Sequence, residues 1–196
     1  MIQLSQFNLS QVVSPRREEI EVWSSAELLQ GEFIVKFRVT GDQPSWFTRL
    51  LPAVHQSDEL VLERADELWK ETCFEAFLGF KDSPAYLEFN FSPNLKWNAY
   101  YFTSYREGME HLSLISPPEV SSHFNASDEY EFSASIRLDH TQMISKISDM
   151  ALTAVIKTLT STQYYACKHM GDRPDFHLRE SFTYDLFRHR SPPSGA

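Results

Sequence analysis

Alternation with a period of two recurs along this chain and constrains its fold more than any other feature. Ile20, Val22, Ser24, Ala26 and Leu28 alternate with Glu19, Glu21 and Glu27. Phe33, Val35, Phe37 and Val39 alternate with Glu32, Lys36 and Arg38, and Tyr130, Phe132, Ala134, Ile136 and Leu138 with Glu129, Glu131, Ser133, Ser135, Arg137 and Asp139. Successive side chains of a strand point to opposite faces, so each segment carries one dry face and one wet face. Antiparallel sheets packed on a shared core have this pattern. Further strands are expected over 96–105, 112–119, 150–160, 162–169 and 176–185. Helical periodicity is feeble, with short helices expected only at 57–66 and 139–148. No glycine-rich strand-to-helix turn of a nucleotide-binding α/β fold occurs. The expectation is an all-β fold: an antiparallel β-sandwich of about ten strands with little helix.

The segment from Cys73 to Ser92 specifies its own register. With 81–84 as the loop, Leu78 pairs with Leu87, Ala76 with Phe89 and Phe74 with Phe91, forming one apolar stripe. The other face then sets Phe77 opposite Glu88, Glu75 opposite Asn90 and Cys73 opposite Ser92. A slip by one residue would mix the two sets, so burial of one face enforces this pairing. The same strand, extended back, adds Trp69 and Glu71 to the polar face. Carboxylate and amide acceptors beside large aromatic surface suit a partly shielded, concave ligand site. Alternatively, Trp69 and Phe77 cover a sheet edge, with the glutamates paired to Arg38, Arg106 or Arg137.

A chain of 196 residues with 42% hydrophobic content can fill one core, and a sandwich of about 200 residues is commonly one domain. Residues 1–190 are assigned to it, and the tail 191–196 (SPPSGA, from Ser191) to disorder. The net charge of −9 repels phosphate backbones and anionic lipid, so neither nucleic acid nor a membrane is an expected partner. No apolar run reaches the roughly 18 residues of a membrane span. The N-terminus carries no basic leader and no apolar export segment, and a cytoplasmic location is expected. Cys73 and Cys167 lie far apart, without metal-knuckle spacing, and read as reduced core residues.

Several segments together resemble a known family. They are LWKETCFEAF at 68–77, YLEFNFSP at 86–93, the W-x-x-Y-x-F-x-x-YR-x-GM pattern from Trp97 to Met109, and His169 to His177 with its PDFH. The combination resembles stand-alone DOMON-like proteins, which are similar in turn to carbohydrate-binding module family 9. The resemblance covers most of the chain from about residue 20 to 186. It implies a β-sandwich with a ligand pocket on or between its sheets, and sugar or haem as ligand. In the sugar-binding branch a tryptophan precedes a glutamate by six positions, as Trp69 precedes Glu75. A second tryptophan opposes the first there; here no Trp follows Trp97, and Tyr164, Tyr165 or Phe176 would have to serve. In the haem branch a Met and a His hold the iron, and Met109 with His169 is the workable pair.

Two further chemistries follow from the residues. Glu75 and Glu88 are diagonal neighbours whose Cβ atoms lie roughly 7 Å apart or somewhat less. Carboxyls about 5–5.5 Å apart can run a retaining glycoside hydrolysis if one has a raised pKa. His169, Asp172, Asp175 and His177 cluster in sequence, and calcium through carboxylates suits them better than zinc. The favoured reading is a non-catalytic small-ligand-binding module for a sugar or glycan fragment, with no cofactor; haem, calcium and hydrolysis are the alternatives. Trp69 would stack on the ligand, Glu75, Glu88 and Asn90 would accept from hydroxyls, and Arg106 would bond a hydroxyl or position a carboxylate. Tyr165, His169, Asp175 and His177 would reach in from a neighbouring strand and its loop.

Overall fold

The computed structural model describes residues 1–7, 20–41, 61–125, 129–138, 144–158 and 161–184. Among these residues, thirteen strands form two sheets. The smaller has the order β1-β3-β4-β11-β10, from Ile2–Gln3, Ile20–Leu29, Glu32–Gly41, Tyr130–Arg137 and Glu119–Phe124. The larger has the order β2-β13-β12-β6-β7-β8-β5, from Ser5–Gln6, Thr162–Ala166, Ile147–Lys157, Cys73–Phe80, Tyr86–Phe91, Lys96–Phe102 and Glu63–Arg64. The short β9 (Glu110–His111) pairs with β8. Pairing is antiparallel except between β5 and β8, which run parallel. The all-β sandwich is therefore the fold.

The three alternating segments named above become β3, β4 and β11, hydrogen-bonded to one another in the smaller sheet. Their apolar faces are buried against the inward face of the larger sheet, where Phe37 stacks on Phe74 at 4.9 Å and Phe74 on Phe132 at 5.1 Å. The 73–92 hairpin adopts the expected register, with Phe74 opposite Phe91, Glu75 opposite Asn90, Phe77 opposite Glu88 and Leu78 opposite Leu87. The Phe80 amide closes it onto the Ala85 carbonyl at 3.2 Å.

Several expectations fail at their edges. Trp69 and Glu71 do not extend β6: residues Leu68–Lys70 form a 3₁₀ turn, and the strand begins at Cys73. The strand expected over 112–119 lies instead at Glu119–Phe124. Within 57–66 the described residues hold only the two-residue strand β5, and within 139–148 they lead through a turn into β12. The remainder of those two segments, and the 191–196 tail, lie outside the described residues.

The strand expected over 176–185 is a larger departure. This segment crosses the outer face of the larger sheet, with a 3₁₀ turn at Arg179–Ser181 and one bridge from Tyr184 to Met150. Its Phe176 and Phe182 form a second apolar cluster there with Phe77, Tyr86 and Phe102. Both faces of β6 and β7 are consequently buried. Arg179 anchors the crossing. Its Nε donates to Asp149 Oδ2 at 2.9 Å, its Nη2 to the Phe80 carbonyl at 2.8 Å and its Nη1 to the Ala85 carbonyl at 3.1 Å. Gly79 makes room for it, since a Cβ at that position would lie 2.2 Å from the guanidinium carbon.

Candidate functional site

On this covered outer face the polar row of the hairpin meets a cavity of about 400 Å³, within the range of small-molecule sites. Glu75 from β6 and Glu88 from β7 project into it as diagonal neighbours. Val155 and Tyr164 come from β12 and β13, and Pro174, Phe176 and His177 from the crossing segment. Phe102, Arg106 and Met109 arrive from the end of β8 and the turn after it, and Trp69 from the first 3₁₀ turn. The rim residues Trp69 and Met109 are solvent-exposed, whereas Glu75 and Glu88 are 2% and 3% exposed. The cavity is thus acidic and dry at its floor and aromatic at its walls and mouth.

The two glutamates have different supports. Thr153 donates to Glu75 Oε2 at 2.9 Å. Asn90 Nδ2 donates to Glu88 Oε1 at 2.7 Å, which leaves Glu88 Oε2 buried with no hydrogen-bond partner. Its neighbour in charge type is the His177 ring, whose Nδ1 lies 3.9 Å away. Among the described residues, neither carboxylate has a Lys or Arg within 4 Å, so the arginine pairing considered as an alternative is absent. Burial raises both carboxyl pKa values, and for Glu75 the nearby Glu88 charge adds to the effect: Glu75 rises to about 8 and Glu88 to about 7. The pair behaves as one titrating unit that retains a proton near neutrality. Cys73, next to Glu75, is fully buried, and desolvation holds its thiol protonated.

Facing them, Tyr86 accepts from the Arg106 amide at 3.3 Å and meets His177 Nδ1 at 2.7 Å. Burial pushes the phenol up to about 12 and the imidazole down to about 4, so both are neutral at physiological pH. In the tautomer with the imidazole proton on Nε2, the tyrosine O–H donates to Nδ1. Arg106 sits in a left-handed turn position (φ 55°), and its Nη2 binds Asp175 Oδ1 at 2.9 Å. Asp175 also accepts from the Tyr105 hydroxyl at 2.5 Å and the His177 amide at 3.1 Å.

Of the nine residues expected at the site, Trp69, Glu75, Glu88, Arg106 and His177 line the cavity. Asn90 and Asp175 stand behind it, orienting Glu88 and Arg106. Tyr165 does not reach it: β13 turns that side chain into the inter-sheet core, where its hydroxyl bonds the Ile20 carbonyl at 3.0 Å. Tyr164, of opposite parity, faces the cavity in its place. His169 is also outside the lining; its Nε2 meets the Ser5 carbonyl at 2.8 Å. Of the pair considered for iron, Met109 lines the cavity and His169 does not. Of the His/Asp cluster, Asp172 is exposed, His169 bonds the Ser5 carbonyl, Asp175 the Tyr105 hydroxyl and His177 the Tyr86 hydroxyl. Among the described residues, no three His, Cys, Asp or Glu side chains converge on a possible metal position.

Phe102 and Val155 escaped the sequence reading, although the alternation of β8 and β12 could have placed them on this face.

No family model matches the chain, and no curated protein matches it. Among solved structures it is similar to a putative carbohydrate-binding protein from Bacteroides uniformis ATCC 8492, with a TM-score of 0.55 and 14% identity over 86% of this chain and 78% of that one. At that identity the likeness is one of fold. No helix among the described residues is long and apolar enough to cross a membrane.

Proposed function

We propose that this protein is a non-catalytic carbohydrate-binding module whose ligand occupies the cavity on the outer face of the larger sheet. The observation that carries the reading is a tryptophan at the mouth of a cavity floored by two buried carboxyls. Aromatic faces cover the C–H patches of a pyranose, and buried acceptors bond its hydroxyls, each charge-assisted bond contributing roughly 1.5–3 kcal/mol. Trp69 packs edge-on against Tyr100 at 6.1 Å, which leaves it at the opening with Tyr164 and Phe176 also on the lining. These two replace the missing second tryptophan. The resemblance to DOMON-like and family 9 modules and the fold shared with the Bacteroides protein support the same ligand class.

Calorimetric titration with a panel of mono- and disaccharides tests the reading. Trp69→Ala is expected to weaken the best ligand at least about tenfold, since losing a stacking platform removes more than 1.4 kcal/mol. Unchanged affinity in that variant would remove Trp69 from the site.

A second reading, glycoside hydrolysis, is favoured by one observation: two carboxyls placed diagonally on adjacent strands line the same cavity, and burial raises their pKa values in the direction an acid catalyst needs. Turnover of chromogenic glycosides that disappears in both Glu75→Gln and Glu88→Gln would establish it.

A further inference from the structure

We propose that the cavity is built for a ligand bearing a protonated amine, of the amino-sugar class, with its ammonium group seated between Glu75 and Glu88. The inference rests on the sugar-site reading and adds the charge of the ligand to it.

Charge bookkeeping motivates it. Glu75, Glu88 and Asp175 are three acids in or behind the cavity, and Arg106 is one cation, so full ionisation leaves +1 − 3 = −2. Arg106 is already bound to Asp175 at 2.9 Å, and the nearby His177 ring is neutral. The two floor carboxyls thus feel Arg106 only at a distance and have no Lys or Arg ion-pair partner within 4 Å among the described residues. A neutral sugar supplies hydroxyl donors but no charge, so it must bind a protonated pair or tolerate two anions in a dry pocket. An ammonium ion resolves both problems, donating up to three hydrogen bonds while neutralising one of the acids.

A second observation points to the same place. Glu88 lines the cavity, and its Oε2 is buried with no hydrogen-bond partner. Asn90 holds the other oxygen, so the free one has a defined position rather than a choice of rotamers. The ring walls add a third element, since Trp69, Tyr164, Phe102 and Phe176 present π-faces or edges around the floor, and aromatic faces attract cations.

At about pH 6, below both raised values, the two carboxyls are largely protonated, so seating an ammonium ion displaces one proton to solvent and leaves one carboxylate to balance the ligand's charge. The titratable or charged groups facing the pair are Cys73, Tyr86, Tyr100, Arg106, Asp175 and His177. The cysteine, tyrosines and histidine are held neutral by burial, and the arginine is held by Asp175. The released proton therefore comes from Glu75 and Glu88.

The test is calorimetry on the full chain at about pH 6, where aliphatic amines are protonated, with glucosamine, N-acetylglucosamine, glucose and cyclohexylamine. Repetition in buffers of different ionisation enthalpy reads proton release. The expected result is glucosamine binding at least about tenfold tighter than glucose or the N-acetyl sugar, with up to about one proton released per ligand. Glu88→Gln should abolish most of that preference, while the wild-type ligand series stands even if the variant folds poorly. Equal affinity for glucose and glucosamine, or no proton release, overturns the ammonium inference and leaves the sugar site intact. Cyclohexylamine binding with every sugar silent overturns the sugar reading and keeps the ammonium. Silence from all four overturns both.

Discussion

Arg106 and Asp175, sixty-nine positions apart in the chain, are joined by a 2.9 Å ion pair that ties the turn after β8 to the segment crossing the outer sheet face. Tyr105 and the His177 amide bond the same carboxylate. The cavity is therefore bounded by two chain segments that meet through one acid, and several consequences can be measured.

Asp175→Asn should loosen that tie. The side chain of Arg106 is about half exposed (51%), so solvent screening limits the stability loss to about 1 kcal/mol or less. Ligand affinity should fall more than stability does, because Arg106 and His177 both lose their positioning partner. Parallel measurement of urea midpoints and calorimetric affinity checks this; a stability loss without an affinity loss would show that the tie is purely structural. The pair's own pH effect has a definite sign. Asp175 has a lowered folded pKa, so its contribution is present above the unfolded carboxyl value and is lost as pH falls through the folded one.

The contribution of the Glu75–Glu88 pair to stability should decline as pH rises from the ordinary carboxyl value of 4.5 to about 8. Glu75 and Glu88 have raised folded values, so the native state binds more protons than the unfolded chain until the pair ionises, and stability falls across that interval. His177 works in the opposite direction at lower pH. Its folded value is depressed to about 4, so its contribution is lost as pH falls from about 6.5 to that point. Urea melts of wild type and Glu88→Gln between these limits test the assignment. The wild-type slope should be on the order of 1 kcal/mol per pH unit, and the variant's slope smaller. Equal slopes would place the titration elsewhere.

Gly79→Ala should be disproportionately damaging for one methyl group. The new Cβ would sit 2.2 Å from both the Arg179 guanidinium carbon and Asp149 Oδ1, so the anchor of the crossing segment must move. Overpacking of this kind costs roughly 1–3 kcal/mol. Thermal melts, together with proteolysis of the C-terminal segment, should show both lower stability and faster cleavage. A variant as stable and protected as wild type would show that Arg179 re-seats freely.

The stripe Phe74, Ala76 and Leu78 against Phe91, Phe89 and Leu87 was legible because neighbours of one parity are all apolar, and no other register buries them together. The diagonal placement of Glu75 and Glu88 came with it. Trp69 reached the cavity for a different reason than its spacing suggested. It stands on a 3₁₀ turn that precedes the strand, and parity has no meaning there. Tyr164 and Tyr165 show the limit of local reasoning. Both are aromatic in an ordinary strand, and which of them faces the core depends on how β13 pairs with β12.

Period and parity are properties of adjacent residues, so the linear order of amino acids was enough to set the all-β class, the hairpin register and the acidic row on its outer face. Whether that row meets water or a cavity depends on a segment almost a hundred residues later. Phe176, Phe182 and Arg179 cover the sheet through contacts that no local pattern encodes. Desolvation by that cover turns two ordinary glutamates into a proton-sharing pair, and only the assembled chain supplies it.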